Sequence, residues 1–131
     1  MEYSRALNRL ATIAFKKRKF EWRGEVYELD AAAPETGLIA DAIDIKRIEA
    51  RRDIHKRSDE IVNKADRFKR VFPSGKFGTV IYYPFIQEHS NIQDRLRSDN
   101  IDSVVFASEA KESIANAIGL LLAKFRIRRR R

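Results

Sequence analysis

The chain has 131 residues, 44% of them hydrophobic and 35% charged, so it is large enough to bury one core and too apolar for a disordered chain. Its net charge of +8 favours a polyanionic partner, most simply a nucleic acid. The absence of Cys excludes disulfides and thiolate metal sites. No apolar run reaches the roughly 18 residues that a membrane span needs, and a cytoplasmic location is the default prediction.

The first part of the chain predicts one helix followed by strands. Apolar residues at helical spacing predict a helix over 3–16, closed at its negative end by the basic run Lys16–Lys19. Alternating polar and apolar residues over 20–29 predict one strand, or two strands joined tightly at Gly24. A further strand is predicted over 38–48.

The rest of the chain alternates helices and strands. In order, the predicted elements are a helix over 53–70, a strand over 77–83, a helix over 86–97, a strand over 101–107 and a helix over 108–125. Asp53 is predicted to cap the first of these helices. An antiparallel meander followed by such alternation predicts an α/β fold. Its mixed sheet is antiparallel first and parallel later, holds the last two strands inside it, and is flanked by helices. We predict a single domain over 1–131, in which the basic tail 126–131 is expected to be disordered.

Three charged side chains on the two middle strands predict a cleft. Asp44 and Lys46 are two residues apart, so on a strand both leave the same side of the sheet. If the loop 34–37 reverses the chain into a hairpin, Asp30 comes opposite or diagonal to Asp44. Two carboxylates and one ammonium then share one place. The alternative is a solvated salt bridge between Asp44 and Lys46 on an edge strand.

This pattern resembles the PD-(D/E)xK nuclease superfamily, which includes many restriction endonucleases. Asp30 is followed after thirteen residues by Asp44-Ile45-Lys46, within a predicted α-β-β-β-α-β order. The resemblance covers about residues 1–83. The sequence departs from the motif at Leu29, which stands where the family has proline, and at Asp44, where Glu is commoner. The resemblance implies a restriction endonuclease-like fold, Mg²⁺ or Mn²⁺ as cofactor and DNA as substrate.

The resemblance also implies a role for each residue of the motif. Asp30 and Asp44 would hold the cation through their carboxylate oxygens, as hard cations prefer. The backbone carbonyl of Ile45 would be a further metal ligand. Lys46 would orient or help deprotonate the attacking water and stabilise the charge that develops on the phosphate.

Other charged residues near the motif leave alternatives open. Glu28 shares strand parity with Asp30, so it is a candidate supporting residue or the true first acid. Asp41 is another candidate, although its parity opposes that of Asp44. Five basic residues after the motif are predicted to contact the phosphate backbone: Arg47, Arg51, Arg52, Lys56 and Arg57. A solvated helix face explains them equally well, and Trp22 is predicted to pack in the protein, not to stack on bases.

The leading hypothesis from the sequence is a metal-dependent DNA endonuclease that hydrolyses phosphodiester bonds. The alternative is a noncatalytic nucleic-acid-binding or assembly protein with a nuclease-like fold, and a third hypothesis is an RNA-binding domain whose acids are structural. The two acids with the lysine favour the enzyme, because a pure binder gains nothing from carboxylates that face a phosphate. Since a small domain often cuts both strands as a symmetric dimer, a homodimer or larger homo-oligomer is a candidate assembly.

Overall fold

The structure is a computed structural model that describes residues 15–83, 89–107 and 123. These residues form the strands β1 (Lys16–Trp22), β2 (Glu25–Ala33), β3 (Asp41–Arg47), β4 (Lys76–Tyr82) and β5 (Ser103–Ala107). They also form the helices α1 (Ile54–Val71) and α2 (His89–Arg95), with a 3-10 turn at Arg51–Asp53. The predicted helix over 3–16 up to residue 14, the predicted helix over 108–125 apart from residue 123, and the tail 126–131 lie outside the described residues.

The five described strands form one sheet in the order β1-β2-β3-β4-β5. The β1–β2 and β2–β3 pairs are antiparallel, whereas β3–β4 and β4–β5 are parallel. The predicted α/β class with a mixed sheet, antiparallel first and parallel later, is confirmed. β4 is buried on both faces from Phe77 to Ile81, as its nearly continuous apolar sequence predicts. β5 lies at the edge of the sheet that the described residues form, whereas strand 101–107 was expected inside the sheet.

The basic run Lys16–Lys19 belongs to β1, and the prediction that it closes a helix is wrong. Lys17 and Lys19 form ion pairs with Glu28 of β2, at 3.5 and 3.6 Å, on one face of the sheet. Phe20 is buried on the other face. A row of basic side chains suits a strand at a sheet edge, because it discourages pairing with another chain. Charge alone could not distinguish this strand from the end of a helix.

Helix α1 packs across one face of the sheet through a stripe of buried residues. Ser58, Ile61, Ala65 and Phe68 are buried, and their spacing of three or four residues places them on one side of the helix. The sheet residues of the same core come from four strands: Phe20, Leu29, Ala32, Ala42, Phe77 and Ile81. This packing fixes which other residues of α1 face the middle strands.

Asp53 and Gly75 lie at the two ends of α1. Asp53 occupies the N-cap position, but its side chain makes no capping hydrogen bond. Its backbone is helical (φ −91°, ψ −5°) because it closes the 3-10 turn, whereas a capping side chain needs an extended backbone. At the other end, Gly75 passes close to Phe68. A Cβ at residue 75 would lie 2.8 Å from the ring of Phe68, so only glycine fits without displacement.

Candidate active site

The antiparallel pairing of β2 with β3 brings Asp30 and Asp44 together. Ala31 pairs with Ile43, so the next position in the same register sets Asp30 beside Asp44. The backbone ladder stops there, and the N–H of Ile45 donates to Oδ2 of Asp30 at 2.7 Å. The side chains of Asp30 and Asp44 are within hydrogen-bonding reach of each other. The hairpin therefore places two carboxylates side by side.

A β-bulge in β2 determines which acidic side chains of this strand lie beside Asp44. One residue of β1 lies opposite two residues of β2, Asp30 and Ala31. As a result Leu29 and Ala32 both join the core on the α1 side, although regular alternation would send them to opposite faces. The carboxylate of Glu28 pairs with lysines of β1 on the far face. The expectation that Glu28 shares a face with Asp30 is wrong because the extra residue breaks the alternation between them.

We call the space around Asp30, Asp44 and Lys46 the cleft. Asp44 is its most enclosed acid, with 2% of its surface exposed. Its Oδ1 accepts a hydrogen bond from Nζ of Lys64 in α1 at 3.1 Å, and the same ammonium donates to the backbone carbonyl of Glu28 at 2.8 Å. Oδ2 of Asp44 is buried and has no hydrogen-bond partner among the residues that the structure describes. Such an oxygen is unfavourable unless a proton or a cation satisfies it.

Burial raises the pKa of Asp44 from 3.8 to about 7. Lys64 lowers this pKa, while the neighbouring Asp30 raises it further. Two adjacent carboxylates resist ionising together, because each charge disfavours the other. At neutral pH the pair therefore favours a bound proton or a bound cation.

The donor set of this pair fits a hard divalent cation. Mg²⁺ binds oxygen ligands and often uses one or two carboxylates while keeping several waters. Asp30 and Asp44 would supply the carboxylates. The N–H and C=O of one strand residue point to the same side, so the carbonyl of Ile45 points toward Asp30 as its N–H does. Within 15–83, 89–107 and 123, no cluster of three or more His, Cys, Asp or Glu side chains is arranged to hold a metal.

Lys46 leaves β3 on the same face as Asp44, two residues further along the strand. Its Nζ lies 2.9 Å from Oε2 of Glu60 in α1. The hydrogen bond from Lys46 holds the pKa of Glu60 below its usual range, and Arg57, 3.3 Å from the same oxygen, acts in the same direction. The Lys46 ammonium is thus held in place on the more exposed side of the cleft.

Two residues of α1 that the sequence motif does not include complete this cleft. Glu60 and Lys64 are four residues apart, so both lie on one face of the helix, and each contacts one charged residue of β3. Each immediately precedes a buried residue of the apolar stripe, Ile61 or Ala65. In the sequence, Glu60 and Lys64 are recognisable only as charged residues that flank the apolar stripe of the predicted helix. Identifying them as site residues requires the position of α1 over the sheet, which the sequence pattern alone does not give.

Five basic residues follow the motif in the chain, and we call them the basic rim: Arg47, Arg51, Arg52, Lys56 and Arg57. They occupy the last residue of β3, the 3-10 turn and the first turn of α1. All are exposed except Arg57, which is half-buried against Glu60. The guanidinium of Arg47 lies 5.0 Å from the ring centroid of Tyr82. Of these residues Arg57 is linked to Lys46, because both contact Oε2 of Glu60.

Asp41, the other acid considered from the sequence, lies outside the cleft. It begins β3, three residues before Asp44, which is about 10 Å along a strand. It pairs in register with Lys76 of β4. Burial raises the pKa of Asp41, Lys76 lowers it and Asp102 raises it. Its neighbours are thus those of a separate charge cluster.

No protein-family model matches this sequence, and a search of curated proteins returns no match. Within the described part of the chain, no helix is long and apolar enough to cross a membrane. Function is therefore inferred from the geometry and chemistry of the cleft.

Proposed function

We propose that this chain is a metal-dependent DNA endonuclease with a restriction endonuclease-like fold. The observation that carries the proposal is Oδ2 of Asp44, a buried carboxylate oxygen beside Asp30 that has no hydrogen-bond partner among the described residues. The resemblance to the PD-(D/E)xK superfamily supports it, as does the mixed sheet with the motif on β2 and β3. Mg²⁺ or Mn²⁺ is the cation that this donor set suits.

Each residue of the cleft has a place in the proposed reaction. Hydrolysis joins a hydroxyl from water to phosphorus, breaks the bond from phosphorus to one sugar oxygen, and passes the other proton of the water to that leaving oxygen. The bound cation supplies charge that polarises the phosphate and lowers the pKa of a bound water. Asp30 and Asp44 hold that cation, with the Ile45 carbonyl as a further ligand. Lys46 positions the attacking water and stabilises the negative charge on the phosphate.

Two residues of α1 contact the charged residues of β3 in this site. Glu60 fixes the ammonium of Lys46 at 2.9 Å, and Lys64 occupies Oδ1 of Asp44 at 3.1 Å until a bound cation displaces its ammonium. Such supporting contacts hold catalytic groups in their working geometry. The basic rim contacts phosphates of the DNA backbone. These contacts supply affinity that does not depend on the DNA sequence.

A second candidate is a noncatalytic nucleic-acid-binding or assembly protein with the same fold. The observation that favours it is the pairing within the cleft, where Lys64 partly neutralises Asp44 and Glu60 neutralises Lys46. With these contacts the fold balances most of its charge without a metal. The basic rim then binds nucleic acid and nothing is cleaved.

A cleavage assay separates the two candidates. The protein is incubated with linear duplex, single-stranded and four-way-junction DNA, each with Mg²⁺, Mn²⁺ or EDTA. We expect cleavage of at least one substrate with a metal, none with EDTA, and none by the Asp44→Ala variant. Asp41→Asn is the matched control, because it changes a buried acid of the same strand outside the cleft. Binding without cleavage under every condition would support the noncatalytic candidate.

A further inference from the structure

A second cleft opens between the turn end of the β1–β2 hairpin and the C-terminal half of α1. Its volume is about 330 Å³, and its lining is rich in aromatic and arginine side chains: Trp22, Arg23, Glu25, Tyr27, Arg67 and Arg70. This volume is at the small end of the roughly 300–1,000 Å³ typical of small-molecule pockets. We call it the Trp22 cleft. No residue of it belongs to the candidate active site.

The hairpin turn fixes the position of the Trp22 side chain. Arg23 and Gly24 both have positive φ, 48° and 84°, as the two central residues of a tight hairpin turn require. Trp22 and Glu25 form the last strand pair before the turn. The guanidinium of Arg23 lies 5.0 Å from the indole ring centroid, and that of Arg70 lies 5.7 Å from it. A half-buried indole is therefore held between a turn and a helix.

The remaining contacts of the Trp22 cleft leave it positively charged. Asp66 is shared by two guanidinium groups, those of Arg67 and Arg70, through the same Oδ2. The Tyr27 hydroxyl donates to Glu25 at 2.7 Å and is hydrogen-bonded to Arg67. The described residues thus place three guanidinium groups in or beside this cleft against two carboxylates, those of Glu25 and Asp66, which leaves an excess of one positive charge. An anion with a flat apolar part matches this combination of excess positive charge and aromatic surface.

We propose that the Trp22 cleft binds one unpaired nucleotide of a nucleic-acid strand, with its base on Trp22 and its phosphate on Arg67 and Arg70. Proteins bind single-stranded nucleic acid in this manner, through aromatic rings that stack on bases and cations that follow the backbone. Planar guanidinium groups also pair with phosphate through two parallel hydrogen bonds. The buried base pairs of an intact duplex offer no free base face to the indole.

The Trp22 cleft adjoins the candidate active site along α1. Arg67 follows Lys64 by three residues, a rise of about 4.5 Å on nearly the same side of the helix. Tyr27 precedes Asp30 by three residues on β2. This inference rests on the proposed nuclease function and narrows its substrate class. The substrate carries unpaired nucleotides next to the bond that is cut, as in a branched or single-stranded DNA.

The chain contains a single Trp beside four Tyr, so fluorescence excited selectively from tryptophan reports on Trp22 and this cleft. The protein is titrated in EDTA with an oligothymidine strand, with a blunt duplex of equal length, with inorganic pyrophosphate and with polyglutamate. Fluorescence anisotropy of labelled strands measures total binding in parallel. We expect saturable quenching by the single strand, at a concentration on the order of tenfold lower than for the duplex. Pyrophosphate and polyglutamate leave the fluorescence nearly unchanged.

Substitutions test which side chains carry the binding. Arg70→Gln should weaken the binding of the single strand about fivefold to tenfold and reduce its salt dependence by about one phosphate contact. Trp22→Ala, followed by anisotropy, should weaken it on the order of tenfold. Arg97→Gln is the matched control, because it removes the same charge from a side chain that is 85% exposed and lies outside the cleft. Its affinity should stay at the wild-type value.

Three results would overturn the proposal. They are saturation of anisotropy with no change in fluorescence, equal quenching by polyglutamate or pyrophosphate, and equal losses of affinity in Arg70→Gln and Arg97→Gln. The proposed nuclease function fails separately. Quenching by the single strand without cleavage under any metal condition removes the enzyme and keeps the nucleotide site. Cleavage without quenching keeps the enzyme and removes the nucleotide site.

Discussion

The cleft contains two ion pairs between β3 and α1 that have opposite polarity and different environments. In one, the strand supplies the acid, Asp44, and the helix supplies Lys64. In the other, the strand supplies Lys46 and the helix supplies the acid, Glu60. The side chains of the first pair are 3% and 18% exposed, and those of the second are 21% and 35% exposed.

This difference in burial gives the two acids opposite properties. Burial raises the pKa of Asp44 to about 7 even though Lys64 opposes it, whereas the hydrogen bond from Lys46 lowers the pKa of Glu60. Glu60 is a stable anion that positions a lysine. Asp44 is an acid that its partner only partly satisfies, and it is therefore the one that gains from a metal ion. Under the proposed function, the inner pair would bind the cation, and the outer pair would orient Lys46.

The largest expected effect comes from replacing each acid by its amide. Asp44→Asn should reduce cleavage by at least about a thousandfold, because it removes the ligand charge that holds the cation. Glu60→Gln should reduce it only about tenfold to a hundredfold, as expected for a residue that positions another. Cleavage rates at saturating DNA measure both. Equal losses would contradict the division between a binding pair and an orienting pair.

Lys46→Ala tests whether the outer pair contributes to chemistry and not to binding. Turnover should fall on the order of a hundredfold, since the lysine stabilises charge on a single phosphate. The affinity for DNA, measured by anisotropy in EDTA, should change little, because the basic rim supplies most phosphate contacts. A loss of affinity as large as the loss of turnover would show that Lys46 is simply another phosphate contact.

Lys64→Gln tests whether the inner lysine competes with the metal. Without its ammonium, Mg²⁺ should bind about tenfold more tightly, which corresponds to removal of roughly 1.4 kcal/mol of repulsion. The rise in melting temperature with Mg²⁺ concentration measures this affinity without any cleavage. Arg97→Gln, which removes an equal charge elsewhere, controls for the general electrostatic effect. Weaker Mg²⁺ binding would show that Lys64 mainly holds Asp44 in position.

A further expected effect concerns stability and not cleavage, namely its dependence on pH. The folded pKa of Asp44, about 7, exceeds its ordinary value of 3.8, so the folded state binds more protons between these values. The contribution of protonated Asp44 to the free energy of unfolding is fully present below pH 3.8 and is lost as the pH rises through about 7. In EDTA, the melting temperature should therefore fall from pH 5 to pH 8.

The two amide variants identify the source of this pH dependence. Asp44→Asn should flatten the fall between pH 5 and pH 8 and melt higher than wild type at pH 8. Glu60→Gln should keep the fall, because its lowered pKa acts in the acidic range instead. An unchanged profile in Asp44→Asn would assign the pH dependence to another group.

Much of the fold followed from local patterns, because burial imposes a period on the sequence. The apolar run of β4 and the stripe of α1 were predictable for this reason, as was the hairpin that joins Asp30 to Asp44. The bulge in β2 was not. Three small alanines follow Asp30, and they pack on either face equally well, so the pattern does not reveal an extra residue there. That bulge separates Asp30 from Glu28.

The contacts that α1 makes with the site were even harder to predict from the sequence. Glu60 and Lys64 are ordinary charged residues of an amphipathic helix, and their partners lie 14 and 20 residues away in the chain. Only the rotation of α1 over the sheet selects them from the other charges of the helix. Trp22 illustrates the same limit, since its contacts with Arg70 depend on how the hairpin meets the helix.

The most direct test is a crystal structure of the protein grown with Mn²⁺, in which anomalous scattering locates the ion. We predict one anomalous peak between Asp30 and Asp44, with carboxylate oxygens at about 2.1–2.2 Å and the Ile45 carbonyl in the same coordination shell. We also predict that Lys64 moves away from Oδ1 of Asp44. The absence of a peak there, with Lys64 still bound to Asp44 at millimolar Mn²⁺, would contradict the metal site and leave the noncatalytic candidate.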